Sequence, residues 1–379
     1  MTRLSNQKIA LVYDRVNKWG GAERVLLALH EMFPKAPLYT SVYDSKNAPW
    51  AQVFPKVVTS FLQKLPFAKS NHEFLAPLMP LAFESFDFSG FDLVISVTSE
   101  AAKGIKTRFG TLHVCYCLTP TRYLWSGYDD YFKGSPFKVV TKPIINYLRW
   151  WDKRAAKRPD VMIAISSEVQ NRIKKYYRRD SNIIFPPVEL SIDLPIDSKT
   201  KNYYLVVSRL DYGYKKVDLA IKAFNKLGYS LVIVGTGREE GKLKSMAKKN
   251  IKFVGKIKEK ELSKLYQNAK ALIMPQEEDF GIVSIEAQNY GVPVIAYAKG
   301  GSLDTVISGK TGVFFGKQTT TSLVQAIKKF DKMHFSERII RSNAKRFSKK
   351  VFKEQLQRSL IRAYRGRRGG YPPLAGLKK

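Results

Sequence analysis

Long apolar runs are missing from this chain. No stretch of its 379 residues approaches the roughly 18 apolar positions of a membrane-spanning helix. The one short apolar patch near the start, Ile9 to Tyr13, runs directly into Asp14 and Arg15. That pattern suits a strand and not a secretory signal, so the expected location is the cytoplasm. Cysteine is nearly absent. Cys115 and Cys117 are the only two; two apart on an expected strand, they share a face and cannot easily bridge. They read as core thiols in a reducing compartment. Acids are also scarce, with 32 Asp and Glu against 65 Lys and Arg. No Asp-x-Asp string occurs, and the Gly309-Lys310-Thr311 string lacks the earlier glycine of a phosphate loop, since Asp304 stands there.

The net charge of +33 calls for an anionic partner. Three readings stay open: an anionic membrane face, a nucleic acid, or compositional bias. Residues 336–379 hold 14 Lys and Arg against 2 acids, so the excess is concentrated near the end. Aromatics also mix with basic residues between Tyr147 and Lys157, where Trp150 and Trp151 lie. That mixture suits a lipid headgroup interface. No nucleic-acid-binding motif string is present, and no nucleic-acid partner is expected.

Short β-branched runs alternate with amphipathic stretches, which predicts βα units and parallel sheets. Strands are expected at Lys8–Tyr13, Leu38–Val42, Leu93–Ser96, His113–Cys117, Val161–Ile165 and Asn182–Ile184. Pro186-Pro187-Val188 breaks the series, and 189–201 reads as a linker. A second series follows, with strands at Tyr204–Ser208, Leu231–Val234, Ile251–Val254, Ala271–Met274 and Val294–Ala296. The fold class is therefore α/β, with two Rossmann-like doubly wound domains, 1–190 and 191–350, facing across a cleft. A basic amphipathic helix, 351–366, packs back on the first domain, and 367–379 is a frayed basic tail.

The chemistry is expected at the carboxyl ends of the strands. Arg209 and Lys215 follow the first strand of the second series; guanidinium and ammonium both suit a diphosphate. Taken locally they are equally a solvated basic loop. The string Glu278-Asp-Phe-Gly-Ile-Val-Ser-Ile-Glu286 reads as a loop running into a helix. The helix start attracts phosphate, and a second acid about two turns on, roughly 12 Å along the axis, reaches hydroxyls elsewhere on the ligand. The ligand implied is a nucleotide-sugar. Gly300-Gly301 follows the next strand and is placed to bring amides to the same phosphates. In the first domain Gly20-Gly21 opens a helix after the first strand; a tight turn explains that pair equally well.

In order, Arg209, Lys215, Gly235-Thr236-Gly237, Phe253-Val254-Gly255, Glu278 to Glu286, Gly291-Val-Pro-Val-Ile-Ala296 and Gly300-Gly301 resemble the retaining glycosyltransferases of family 4, which have the GT-B fold. The likeness runs from about Lys8 to Tyr364. Ala102-Lys103-Gly104, Tyr116 to Trp125 and Phe185-Pro186-Pro187-Val188 narrow it to mannosyltransferase-like enzymes of bacterial surface polysaccharide assembly. The resemblance implies that Arg209 and Lys215 hold the donor diphosphate and that Glu286 takes the ribose hydroxyls. Glu278 contacts the transferred sugar, together with backbone N–H groups at Phe280, Gly281 and Ile282. Gly20 and Gly21 close the diphosphate site, and Val254 and Gly255 lie by the base.

It further implies transfer of a hexose, mannose from GDP-mannose first and a UDP-sugar second, to a glycan or polyprenyl-linked acceptor. Retention by front-face attack needs no separate base, and neither a metal nor a cofactor is expected. An anionic surface on the inner face of the cell membrane is a further expected partner. One departure stands out: Leu118 occupies the place where relatives usually carry His, and none of His30, His72, His113 or His334 occupies it, though His113, five residues earlier, stays open for a site role. That leaves a non-catalytic nucleotide-sugar binder as an alternative, with a basic nucleic-acid-binding protein as a third.

Overall fold

The structure, a computed structural model, describes residues 7–66, 68–69, 72–131, 141–190, 202–211 and 213–368. Of the expected linker 189–201 all but the first two residues, and of the expected tail 367–379 the part from 369 on, lie outside them. The chain divides into two compact units, Met1–Pro187 with Lys350–Lys379, and Val188–Lys349.

The first unit holds a seven-stranded parallel sheet: β1 (Ile9–Tyr13), β2 (Leu38–Thr40), β3 (Val57–Thr59), β4 (Leu93–Thr98), β5 (Leu112–Cys117), β6 (Val161–Ala164) and β7 (Asn182–Ile183). Its spatial order is β3-β2-β1-β4-β5-β6-β7. Every residue of β1, β4 and β5 is buried, as central strands covered on both faces require. The helix Lys349–Arg368 belongs to this unit from Lys350 on, with Phe352, Leu356 and Leu360 buried. The Phe352 ring meets Tyr116 edge-on at 5.7 Å, and Lys353 pairs with Glu31 at 2.5 Å. Trp150 and Trp151 part company on the helix Lys142–Ala155. Trp151 is buried and donates from Nε1 to Glu84 at 2.7 Å, whereas Trp150 is 56% exposed. The expected tryptophan pair at an interface is thus a single tryptophan, because successive residues point about 100° apart around a helix.

The second unit holds a six-stranded parallel sheet: β8 (Tyr203–Val207), β9 (Leu231–Val234), β10 (Ile251–Gly255), β11 (Ala269–Met274), β12 (Val294–Tyr297) and β13 (Gly312–Phe315). The order is β10-β9-β8-β11-β12-β13, the doubly wound arrangement in which ligands bind where the order reverses. Helix Val217–Leu227 places Leu219, Ile221 and Phe224 in the core beneath one face, with Leu323, Ile327 and Phe330 of helix Thr320–Phe330. Both strands absent from the sequence reading, β3 and β13, are outer edge strands. Among the described residues no helix is long and apolar enough to cross a membrane.

Candidate functional site

In the second unit the order reverses between β8 and β11. Four side chains named from sequence follow these two strands. Arg209 is exposed just past β8. Lys215 ends the short 3-10 turn Gly213–Lys215. Its Nζ lies 2.6 Å from Glu278 Oε1 and 5.2 Å from the Tyr214 ring centre. Gln276, 6% exposed, donates from Nε2 to the same Glu278 oxygen at 3.0 Å. A cation and an amide therefore hold one carboxylate oxygen.

The loops that carry these groups lie close together, and glycines permit it. A Cβ on Gly235, at φ +134°, would fall 1.8 Å from Ser208 O; one on Gly237 would fall 2.3 Å from Leu210 C. The Arg209 loop is bonded down in this space: Ser208 N donates to Val234 O at 3.0 Å and Leu210 N to Thr236 O at 2.9 Å. The Gly235-Thr236-Gly237 string thus positions Arg209 through backbone contact. Beyond the turn, Lys216 takes φ +54° as the residue preceding helix Val217–Leu227. Left-handed backbone is uncommon for a lysine, and it sits beside Lys215.

Gly300 and Gly301 lie against the acidic loop. Gly301 N–H donates to Glu278 O at 2.8 Å, and Gly300 pairs with Glu278 in an isolated parallel bridge. A Cβ on Gly300 would lie 2.3 Å from Glu278 O, and one on Gly301 2.3 Å from Phe280 Cα. The Gly301 amide is thus committed to the acidic loop, and the pair positions Glu278.

Phe280 is buried and meets Phe347 edge-on at 5.6 Å, so its side chain is core. Gly281, at φ +89°, precedes helix Ile282–Asn289. Residues 280–282 therefore present backbone at a helix start. Glu286 is the fifth residue of that helix and accepts from Tyr266 OH through Oε2 at 3.1 Å. Glu278 precedes the helix by four residues, so the helical part of the Glu278–Glu286 span rises only about 6 Å, half the predicted spacing. Val254 and Gly255 close β10, where Gly255 O accepts from Gly235 N at 2.9 Å.

The first unit has its own reversal point, between β1 and β4. Gly20, in extended backbone, precedes helix Gly21–Met32. Glu23 of that helix is buried and accepts from Tyr13 OH at 2.9 Å; burial pushes its pKa up, against bonds from Tyr13 and the Gly20 amide. Sequence reasoning missed Asp14. It is 3% exposed and accepts from Thr98 Oγ1 at 2.9 Å and from the amides of Ser99, Glu100, Ala101 and Ala102 at 2.7, 3.0, 2.9 and 2.8 Å. Burial raises its pKa although the amide bonds pull down. Asp14 pins the loop after β4, and a carboxylate directly behind an all-apolar strand was the available signal. Also unforeseen is the buried pair Lys103–Asp152, 2.5 Å apart, with Trp125 Nε1 donating to Asp152 at 2.7 Å.

Leu118 is half-buried just past β5, its amide donating to Thr98 O at 2.8 Å. His113 is fully buried near the start of β5, away from the carboxyl ends, with Nε2 2.9 Å from Ser96 Oγ. Burial lowers its pKa to about 3, so it is a neutral core residue with no place at this site.

Residues 194–347 match the family described as Glycosyl transferases group 1. An uncharacterized glycosyltransferase of Methanocaldococcus jannaschii is 24% identical over 221 residues, 57% of this chain and 62% of that protein. Glycogen synthase of Mycobacterium tuberculosis is 34% identical over 135 residues, 33% of this chain and 32% of the synthase. The chain thus spans less than two thirds of the length of these relatives. The crystal structure of Anabaena HepE in complex with UDP and glucose superposes with a TM-score of 0.66 at 18% identity, over 94% of this chain and all of HepE. Residues 194–347 are thus similar to glycosyl transferases group 1, in a chain whose two Rossmann-like units have the fold class of GT-B proteins.

Proposed function

We propose that this protein is a retaining glycosyltransferase that moves a hexose from a nucleotide-sugar to a glycan or polyprenyl-linked acceptor. The observation that carries this is the Lys215–Glu278 contact at 2.6 Å, at the reversal point of a group 1 domain. A diphosphate meets Lys215 and Arg209, the start of helix Ile282–Asn289 adds amide dipoles, and Glu278 and Glu286 receive sugar and ribose hydroxyls. In the transfer, the bond from the anomeric carbon to the phosphate oxygen breaks. The acceptor oxygen bonds on the same face, and its proton passes to the leaving phosphate. Fixed positive groups aimed at that phosphate stabilise the charge that develops on it, so this reading uses no metal.

The family resemblance favours mannose, whereas the names of glycogen synthase and of HepE with UDP and glucose favour a glucosyl donor. The acceptor side of the reading includes an anionic membrane surface. Thermal unfolding with GDP-mannose and with UDP-glucose tests the donor. The donor is expected to raise the melting temperature, and radiolabelled sugar from it is expected to reach a polyprenyl-linked or glycan acceptor. No protection by any nucleotide-sugar overturns the enzyme reading. Protection without transfer, in a protein carrying Leu118, favours a non-catalytic binder.

A further inference from the structure

The helix Lys142–Ala155 in the first unit has two unlike faces. Ile145, Leu148, Trp151 and Ala155 are buried, and so is Asp152, paired with Lys103. The other face shows Ile144, Tyr147 and Trp150, exposed by 43, 45 and 56%. Their three-residue spacing makes them one stripe. The Tyr147 and Trp150 rings lie 6.2 Å apart, and the Arg154 guanidinium sits 5.7 Å from the Trp150 ring centre. Lys153, near the end of the helix, and Lys157, just past it, are exposed. Asp152 is the helix's one acid and it is buried, so no acid of this helix offsets the exposed cations.

We infer that this stripe docks the protein on a bilayer surface that carries anionic lipids. Trp and Tyr rings favour the headgroup level of a membrane, where an apolar body and a polar edge are both satisfied. The flanking cations meet the negative surface potential, and each contributes about fivefold to binding. Ile144 decides between partners. A bilayer offers an aliphatic boundary to an exposed isoleucine; a nucleic acid offers phosphates and base faces only. The burial of Trp151 and Asp152 supplies the logic of the sequence here. The residues that would weaken attachment, or that the core needs, turn inward, and those that suit a lipid interface turn outward. The inference deepens the membrane part of the proposed function and holds whichever sugar is moved.

Flotation of the full chain with phosphatidylcholine vesicles, with and without phosphatidylglycerol, tests it. Wild type is expected to float with the anionic vesicles only, less so at high salt. Brominated lipid is expected to quench tryptophan fluorescence in the bound protein, and Trp150→Phe to reduce that quenching. The Ile144→Ser, Tyr147→Ser, Trp150→Ser triple variant is expected to melt like wild type and to lose more than tenfold in vesicle binding. Lys153→Glu with Arg154→Glu is expected to lose a comparable factor. Undiminished flotation of the triple variant, equal flotation on neutral vesicles, or no flotation at all overturns the assignment. So does low-salt RNA binding lost in the same variant without any vesicle binding. Donor protection measured on the same samples separates the two readings: a protein that binds nucleotide-sugar and ignores vesicles retains the transferase proposal and loses this one.

Discussion

Lys215 Nζ rests 2.6 Å from Glu278 Oε1 across 63 residues of sequence. Their side chains are 13 and 21% exposed, so the pair is partly screened and still open to a ligand. In the proposed reaction an arriving phosphate would compete with Glu278 for the ammonium, and Gln276 would still hold the carboxylate. The two groups are thus poised together before any donor binds.

Lys215→Ala is expected to reduce kcat/KM by about 10- to 150-fold, the worth of a hydrogen bond to a charged group, roughly 1.5–3 kcal/mol. Lys215→Arg is expected to restore part of it. Initial rates with the donor identified by thermal protection check this, and a wild-type rate in Lys215→Ala would remove Lys215 from the diphosphate site.

Tyr266→Phe leaves the stack of this ring on Tyr290, at 5.5 Å, in place. It removes the hydroxyl that donates to Glu286. One neutral-to-charged bond lost, about 1.5 kcal/mol, is expected to raise the donor KM by roughly tenfold with kcat nearly unchanged. A fall in kcat at constant KM would show that Tyr266 acts elsewhere.

Gly300→Ala and Gly301→Ala force a methyl against the Glu278 and Phe280 backbone. The atoms met are main chain, so relief requires the acidic loop to move. Each variant is expected to lose about 2 kcal/mol or more of stability, read by denaturant titration. Transfer should fall further than stability explains, because Glu278 shifts with the loop.

Lys103→Met is expected to cost about 3–5 kcal/mol, since it leaves Asp152 buried without its cation. Both partners are nearly inaccessible, at 1 and 2%. Lys103→Met combined with Asp152→Leu is expected to cost much less than the sum of the single changes. Additive losses in a double-mutant cycle would deny the pairing.

His113 binds protons less readily when folded, because burial lowers its pKa to about 3 from an ordinary value near 6.5. Its contribution to stability is therefore complete above about pH 6.5 and is lost as pH falls through about 3. Glu84 works in the same direction lower down. Burial opposes its charge, but bonds from Trp151, Lys106 and Arg158 prevail and bring its pKa to about 2. Stability curves of His113→Gln are expected to be flatter between pH 6.5 and 3 than those of wild type, and an unchanged slope would place the acid sensitivity elsewhere.

Much of the fold was legible because parallel strands buried on both faces must be apolar throughout. Ile9–Tyr13 and Leu231–Val234 announce themselves that way, whereas β3 and β13 lie at sheet edges and are too short or too ordinary to stand out. Arg209, Lys215, Glu278 and Glu286 could be named as candidates from type and order, since strand ends carry the chemistry of such folds. Gln276 and Tyr266 were not, because their roles exist only as contacts with acids 2 and 20 residues away. The glycines were only partly readable. Their presence announced close approach, but the partner approached is the protein's own backbone at Ser208, Glu278 and Phe280.

By itself the sequence determined two βα series, a pair of acids around Phe280-Gly281 and a large basic excess, because periodicity, residue type and charge are local and additive. Only the tertiary structure decided that Gly301 serves Glu278, that Asp14 gathers four amides, and that Trp150 faces outward while Trp151 does not. Those outcomes depend on which unsatisfied group or which apolar face the packed chain brings within a few ångströms, and no string of residue types encodes that distance.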